Sequence, residues 1–219
     1  MHTLLLRLSG PLQSWGVESR FTVRDTGREP SKSGVVGLIA AALGRPRSAP
    51  IGDLAALRMG VRVDRQGTLE VDFHTAQNVY TAKGGIKDTE VSRRYYLADA
   101  CFLVGLEGED RALLESIQRT LQNPVWPLFL GRKAFVPGEP LWLPDGLQAD
   151  TPLEEALARY PLLAAADRCD PLPLRGLVED PQNGAIVRPD QPVSFAERRF
   201  APRRLRLRSF RPPEPVEVS

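Results

Sequence analysis

The order of elements along this chain predicts an α+β fold, and three observations carry that prediction. The chain opens on a short apolar run, Thr-Leu-Leu-Leu-Arg-Leu at residues 3–8, which has the character of a largely buried strand. Two later segments place apolar residues at helical spacing, at 35, 38, 39, 42 and 43 in one and at Ala112, Leu113, Ile117 and Leu121 in the other. Between them lie segments that alternate apolar and polar residues, the pattern of a strand with one buried face. The sequence of elements is strand, helix, two strands, an arm, strand, helix and strand. With the hairpin and arm taken as an insertion, this approaches β-α-β-β-α-β, the ferredoxin-like plan shared by RNA recognition modules.

The first helix is the best defined element. Pro30-Ser-Lys-Ser-Gly-Val-Val-Gly-Leu-Ile-Ala-Ala-Ala-Leu-Gly44 has serines able to cap its first turn and Gly44 to end it. Gly34, Gly37 and Ala41 form a second strip of small residues, along which another backbone could lie close. Lys32 and Ser33 stand where free N–H groups and the helix dipole favour an anion. A nucleotide-binding P-loop is excluded, because its two glycine positions hold Ser31 and Thr26. From this stretch alone, a capped core helix with an exposed lysine is the simpler reading, and a seat for a backbone phosphate is the sharper one.

The remaining elements follow in order. Ser9-Gly-Pro-Leu-Gln-Ser-Trp-Gly16 is a turn, with Gln13 and a Trp15 that serves either packing or base stacking. Residues 52–58 form a short helical turn. Met59–Asp64 and Thr68–Thr75 alternate on either side of Gln66-Gly67 and predict a hairpin. Residues 76–94 have little apolar periodicity, a Gly84-Gly85 tip and cations at Lys83, Lys87, Arg93 and Arg94; they predict a projecting arm. Tyr95–Leu106 returns to the core as a strand, and Glu109–Leu121 is a helix with acids in its first turn. Pro127–Pro137 is a short apolar piece around the turn Gly131-Arg132-Lys133.

Prolines multiply from about residue 145. The expected division is a ferredoxin-like domain over 1–145, its thumb at about 76–94, and a C-terminal extension over 146–219 packed on it. Within the extension, 151–160 predicts a short amphipathic helix and 167–200 irregular structure, with a tight turn at Asn183-Gly184. Arg203-Arg-Leu-Arg-Leu-Arg-Ser-Phe210 alternates as a basic strand, either lining a cationic face or protecting a sheet edge by charge.

Composition excludes several classes. The 219 residues suffice for a proper core, and a formal net charge of +2 does not by itself indicate nucleic acid. Its distribution says more: seven arginines and no acid lie between Arg198 and Pro213, and Arg, the bidentate phosphate ligand, greatly outnumbers Lys. Cys101 and Cys169 are too few for a zinc site or a disulfide framework. No signal peptide or long apolar run appears, so a cytoplasmic protein without a membrane partner is expected. There is no nucleophile elbow, metal-ligand cluster or dinucleotide fingerprint, so no catalytic residue, metal or cofactor is expected. His74, beside Asp72 and before the arm, could join Tyr95, Tyr96, Lys83 and Lys87 in metal-free RNA cleavage, but a strand histidine satisfied by its neighbour is the commoner outcome. The cations on loops and arm favour a single-stranded polyanion.

Five segments together carry a resemblance: Gly10-Pro-Leu-Gln-Ser-Trp-Gly16, Pro30–Gly44, Asp72-Phe-His-Thr75, Arg94-Tyr-Tyr-Leu-Ala-Asp-Ala-Cys-Phe102 and Leu128-Phe-Leu-Gly-Arg-Lys133. In this order, over about residues 1–140, they resemble the CasD family, handle-binding subunits of the type I-E CRISPR Cascade complex. The resemblance implies a repeat-associated RNA-binding fold whose arm is a thumb and whose partner is crRNA, capped at its 5′ handle. It implies a thumb packed on the CasC backbone subunit, contact with the large CasA subunit, and target DNA reached through the assembled complex. Carried over, Gln13 and Trp15 belong to the first motif, Lys32 and Ser33 to the helix start, and Arg132 and Lys133 to the Gly-Arg-Lys turn. Lys83, Lys87, Arg93 and Arg94 rest on charge. Related type I-C subunits cut repeat RNA, whereas in type I-E a separate subunit, CasE, does so; the resemblance thus implies no catalysis, with the nuclease as the alternative.

Overall fold

A computed structural model describes residues 1–17, 22–163 and 168–213. The elements are β1 (His2–Ser9), β2 (Leu12–Gln13), β3 (Val23–Arg24), α1 (Lys32–Ala42), α2 (Gly52–Ala56), β4 (Arg58–Arg65), β5 (Thr68–Tyr80) and β6 (Ile86–Ala98). They continue with β7 (Cys101–Gly108), α3 (Arg111–Gln122), β8 (Trp142–Gln148), α4 (Leu153–Arg159), β9 (Leu174–Glu179), β10 (Ile186–Ser194) and β11 (Arg199–Phe210).

The main sheet has seven strands in the order β10-β11-β9-β4-β7-β1-β8, and every pairing in it is antiparallel. The period of two in a strand sends successive side chains of β1 to opposite faces. Leu4, Leu6 and Leu8 join Val35 and Ile39 of α1 and Ile117 and Leu121 of α3 in one core. Leu5 faces the other way and packs with Leu153 and Leu157 of α4, and with Val178 and Phe210. Burial on both faces is why β1 reads as a nearly unbroken apolar run. α4 can lie this close because β7 carries Gly105: a Cβ there would come 2.5 Å from Leu153 Cδ1.

One fully buried ion pair sits in this second layer. Arg62 donates through Nε and Nη2 to Asp64, at 2.7 and 2.8 Å. Its remaining N–H groups bond the carbonyls of Leu157, Tyr160 and Pro161, which would otherwise be orphaned where α4 ends.

Several expectations need correction. β4 does not pair with β5; it pairs with β7 and β9, while β5 pairs with β6 over the whole length of both. Residues 76–94, expected as a projecting arm, are most of a hairpin of two 13-residue strands. Gly67 makes the departure possible: at φ +70 its missing Cβ leaves room for the Ala98 carbonyl, 2.3 Å from where that carbon would lie. The stretch 95–106 is broken at Asp99, φ 55, between β6 and β7. Residues 127–137 form no strand; the edge strand is β8, a few residues later. The region expected to be irregular contains β9 and β10, and with β11 these extend the main sheet beside β4. The expected boundary at 145 falls inside β8. On β11, Leu205 is buried but Leu207 is exposed, so its alternation is only half used.

Hairpin β5–β6, with β2 antiparallel and β3 parallel to β6, makes a second sheet of four strands.

Candidate nucleic-acid interface

The first turn of α1 is built as its sequence suggests and used otherwise. Ser31 Oγ caps the helix, accepting the Gly34 N–H at 3.3 Å. The Lys32 N–H goes to Asp190 Oδ2 of β10 at 2.9 Å. The Lys32 side chain is buried, its Nζ 2.8 and 3.1 Å from the two oxygens of Glu179 on β9. Arg203 of β11 closes the cluster with two bonds to Asp190, at 2.6 and 2.9 Å. Burial draws the Lys32 ammonium below the usual lysine range against the opposing pull of Glu179. The anion that this helix mouth favours is thus a carboxylate of the chain itself, and Lys32 has no surface from which to reach a phosphate.

Gln13 and Trp15 also turn inward. Gln13 is fully buried, its amide donating to the carbonyls of Leu8 and Ala100 and accepting from Trp15 Nε1. Trp15 is 1 % exposed, so its ring is no stacking platform. It packs under Gly34, where a Cβ would meet the indole at 2.9 Å.

Of the expected residues at the helix start, Ser33 keeps surface, lining a groove with Arg24, Arg47, Arg132 and the rings of Phe195 and Phe200. Arg132 also lines a second groove with Arg94, Lys133, His74, Asp72 and Tyr96. The two grooves therefore meet at Arg132. Its Nη2 donates to the Tyr95 carbonyl at 2.7 Å and the Arg24 carbonyl at 3.3 Å, and its guanidinium lies over Phe135 at 5.4 Å. Burial, and after it the charge of Arg94, lower its pKa, with Asp25 and Asp72 pulling the other way.

The other arm cations are dispersed. Adjacent residues on a strand point to opposite faces, so Arg93 leaves Arg94 and lies over Phe73, 5.9 Å from the ring centroid. Lys83 sits exposed at the hairpin tip, and Lys87 is paired with Glu90. The Arg93 face is apolar: Val71, Phe73 and Val91 are exposed on it. His74 Nε2 lies 2.5 Å from Asp72 Oδ2, partly exposed. Sequence reasoning misses Arg24, Arg47, Phe195 and Phe200; the motif Arg45-Pro-Arg47 and the aromatic flanks of a basic stretch are the available signals.

Burial pushes the Cys101 thiol up to about 12, which fits an inert core residue. Among the described residues no group of three His, Cys, Asp or Glu side chains is placed to hold a metal, and no helix is long and apolar enough to cross a membrane.

Comparison with known proteins fits this geometry to a class. Residues 3–206 match the profile described as "CRISPR-associated protein (Cas_Cas5)". A solved structure titled "Crystal structure of Cas protein" is 53 % identical, with a TM-score of 0.79 over 95 % of this chain and 94 % of that one. A chain of a "CRISPR RNA-guided surveillance complex" is 35 % identical, with a TM-score of 0.76 over 95 % and 90 %. The class is that of the CRISPR-associated proteins. Within it the chain belongs to the Cas5 family, and it is 32 % identical to the CRISPR system Cascade subunit CasD of Escherichia coli (strain K12) across 72 % of this chain and 76 % of that protein.

Proposed function

We propose that this chain is the non-catalytic CasD-type subunit of a cytoplasmic Cascade complex, holding the 5′ handle of its crRNA. The observation that carries the proposal is the convergence of Arg94, Arg132 and Lys133 in one groove, continuous at Arg132 with the Ser33 groove along α1. Such a run of cations, from one strand and the Gly131-Arg132-Lys133 turn, suits a single strand's phosphates. Likeness over 95 % of the chain to a member of an RNA-guided surveillance complex supports it.

In this reading β1, α1, β4, β7, α3 and β8 are a ferredoxin-like unit with central order β4-β7-β1-β8, and hairpin β5–β6 is its thumb. The unit runs to the end of β8, so the extension expected from 146 begins after Gln148. Ser33, Arg94, Arg132 and Lys133 are the first RNA contacts, and Arg93, Lys83 and Lys87 touch RNA only where the strand follows the thumb. The apolar Val71, Phe73 and Val91 face packs on the CasC backbone subunit; CasA abuts the same subunit and target DNA is met through the assembled complex.

Incubating the purified chain with repeat RNA in EDTA tests this. Handle RNA should be retained and left intact, whereas cleavage that disappears in His74→Ala would establish a metal-free nuclease using the groove that His74 shares with Tyr96 and Lys133. Equal affinity for handle and scrambled RNA would reduce the chain to a general single-strand binder.

A further inference from the structure

Beside the Ser33 groove lies a cleft of about 360 Å³ with a different chemistry. Its floor is the small-residue face of α1, Gly37 and Ala41, and its walls are Trp126, Phe129 and Phe195. Arg47 and Phe195 line both the cleft and the groove, and Arg47 Nη2 donates to the Phe195 carbonyl at 3.3 Å. Phe195 in turn meets Phe200 edge-on, with centroids 6.4 Å apart. An apolar, aromatic-walled slot opening onto a groove rimmed by Arg24, Arg47 and Arg132 has the two halves that a nucleotide needs: a ring-sized hydrophobic space and neighbouring cations.

We propose that this cleft takes one unpaired nucleobase of the guide strand, stacked against Phe195, while Arg47 holds its phosphate. The charge around the slot argues for this occupant over an apolar protein side chain, since a nucleotide brings a phosphate to match the rim arginines and an apolar side chain brings no such charge. The inference rests on the RNA-binding reading above and gives the C-terminal third a role, because Phe195, between β10 and β11, walls the slot and is itself packed on Phe200 of β11.

The experiment uses synthetic RNA of the guide's 5′ segment with 2-aminopurine placed singly at each position, bound to the full chain. One position should be quenched on binding, and Phe195→Ala should release that quenching and weaken binding roughly tenfold, while Phe195→Tyr retains both. Gly37→Leu provides a second variant: it fills the slot from its floor, where the nearest side-chain atom is Phe195 Cζ at 3.6 Å from the added Cβ, and leucine favours the helix over glycine. Loss of the same quenching in Gly37→Leu supports the proposal even where Phe195→Ala fails to fold. RNA bound normally with no position responding to either variant overturns the cleft and leaves RNA binding standing. Unchanged RNA binding with lost subunit assembly would make the slot a protein-docking site, and no RNA binding at all would sink both readings.

Discussion

Asp190 accepts the backbone N–H of Lys32 at 2.9 Å across 158 positions of sequence. That bond, with the Lys32–Glu179 pair beside it, joins the first turn of α1 to the outer strands of the sheet. The helix that fronts the proposed RNA groove is thereby oriented by buried residues.

Asp190→Ala should be costly. It leaves the Arg203 guanidinium buried with only Glu179, at 3.4 Å, and orphans the Lys32 N–H. Breaking a buried pair from one side costs about 3–5 kcal/mol, so urea unfolding should show a loss of that order. A loss under about 1 kcal/mol would show the cluster to be dispensable.

The same carboxylate gives a pH dependence, together with Glu29. Burial opposes ionisation of both. The hydrogen bonds from Arg203 to Asp190, and from Arg188 and Arg175 to Glu29, nonetheless bring both pKa values below the ordinary range. A depressed folded value means stability that is present above the unfolded value and lost as protons bind. Stability should therefore fall as pH drops from about 4 downward, and Glu29→Gln should flatten that fall. An unchanged profile in the variant would refute the assignment.

Lys133→Ala should lower the salt slope of handle-RNA binding by about one, with the fold intact because the side chain is exposed. Lys32→Ala should do the opposite, lowering the unfolding midpoint and leaving the slope unchanged. Filter binding between low and physiological salt separates the two.

Phe73→Asp with Val91→Asp should leave stability within about 0.5 kcal/mol of the parent, as both side chains are already exposed. Association with the neighbouring backbone subunit, followed by size-exclusion chromatography, should weaken. Normal assembly would place the docking face elsewhere.

Local chemistry made α1, α3 and α4 legible: the Ser31 cap, Gly44 at φ +67 and the apolar spacing are all contained within one segment. The cationic turn at Arg132-Lys133 was legible for the same reason. Partner choice was not. Whether β5 continues a hairpin with β4 or leaves for β6 depends on the single crossing at Gly67, and no alternation pattern records it. Lys32 looked free because its acid lies 147 residues away. Gln13 and Trp15 belong to a recognisable motif, yet the motif's role in this chain is to bond itself and support Gly34. β9 and β10 escaped notice because prolines such as Pro189 and Pro192, and the arginines around them, obscure the strand period.

The long span of the Lys32 clasp has a bearing on biosynthesis. On the ribosome α1 is made early, but Glu179 and Asp190, which hold its first turn, and Arg203, which pairs with both, emerge far later. A nascent or truncated polypeptide holds the helix face without its anchor, so only a nearly finished product can present a set groove to a guide. Fragments ending before residue 203 should accordingly hold the proposed groove less firmly than the full chain.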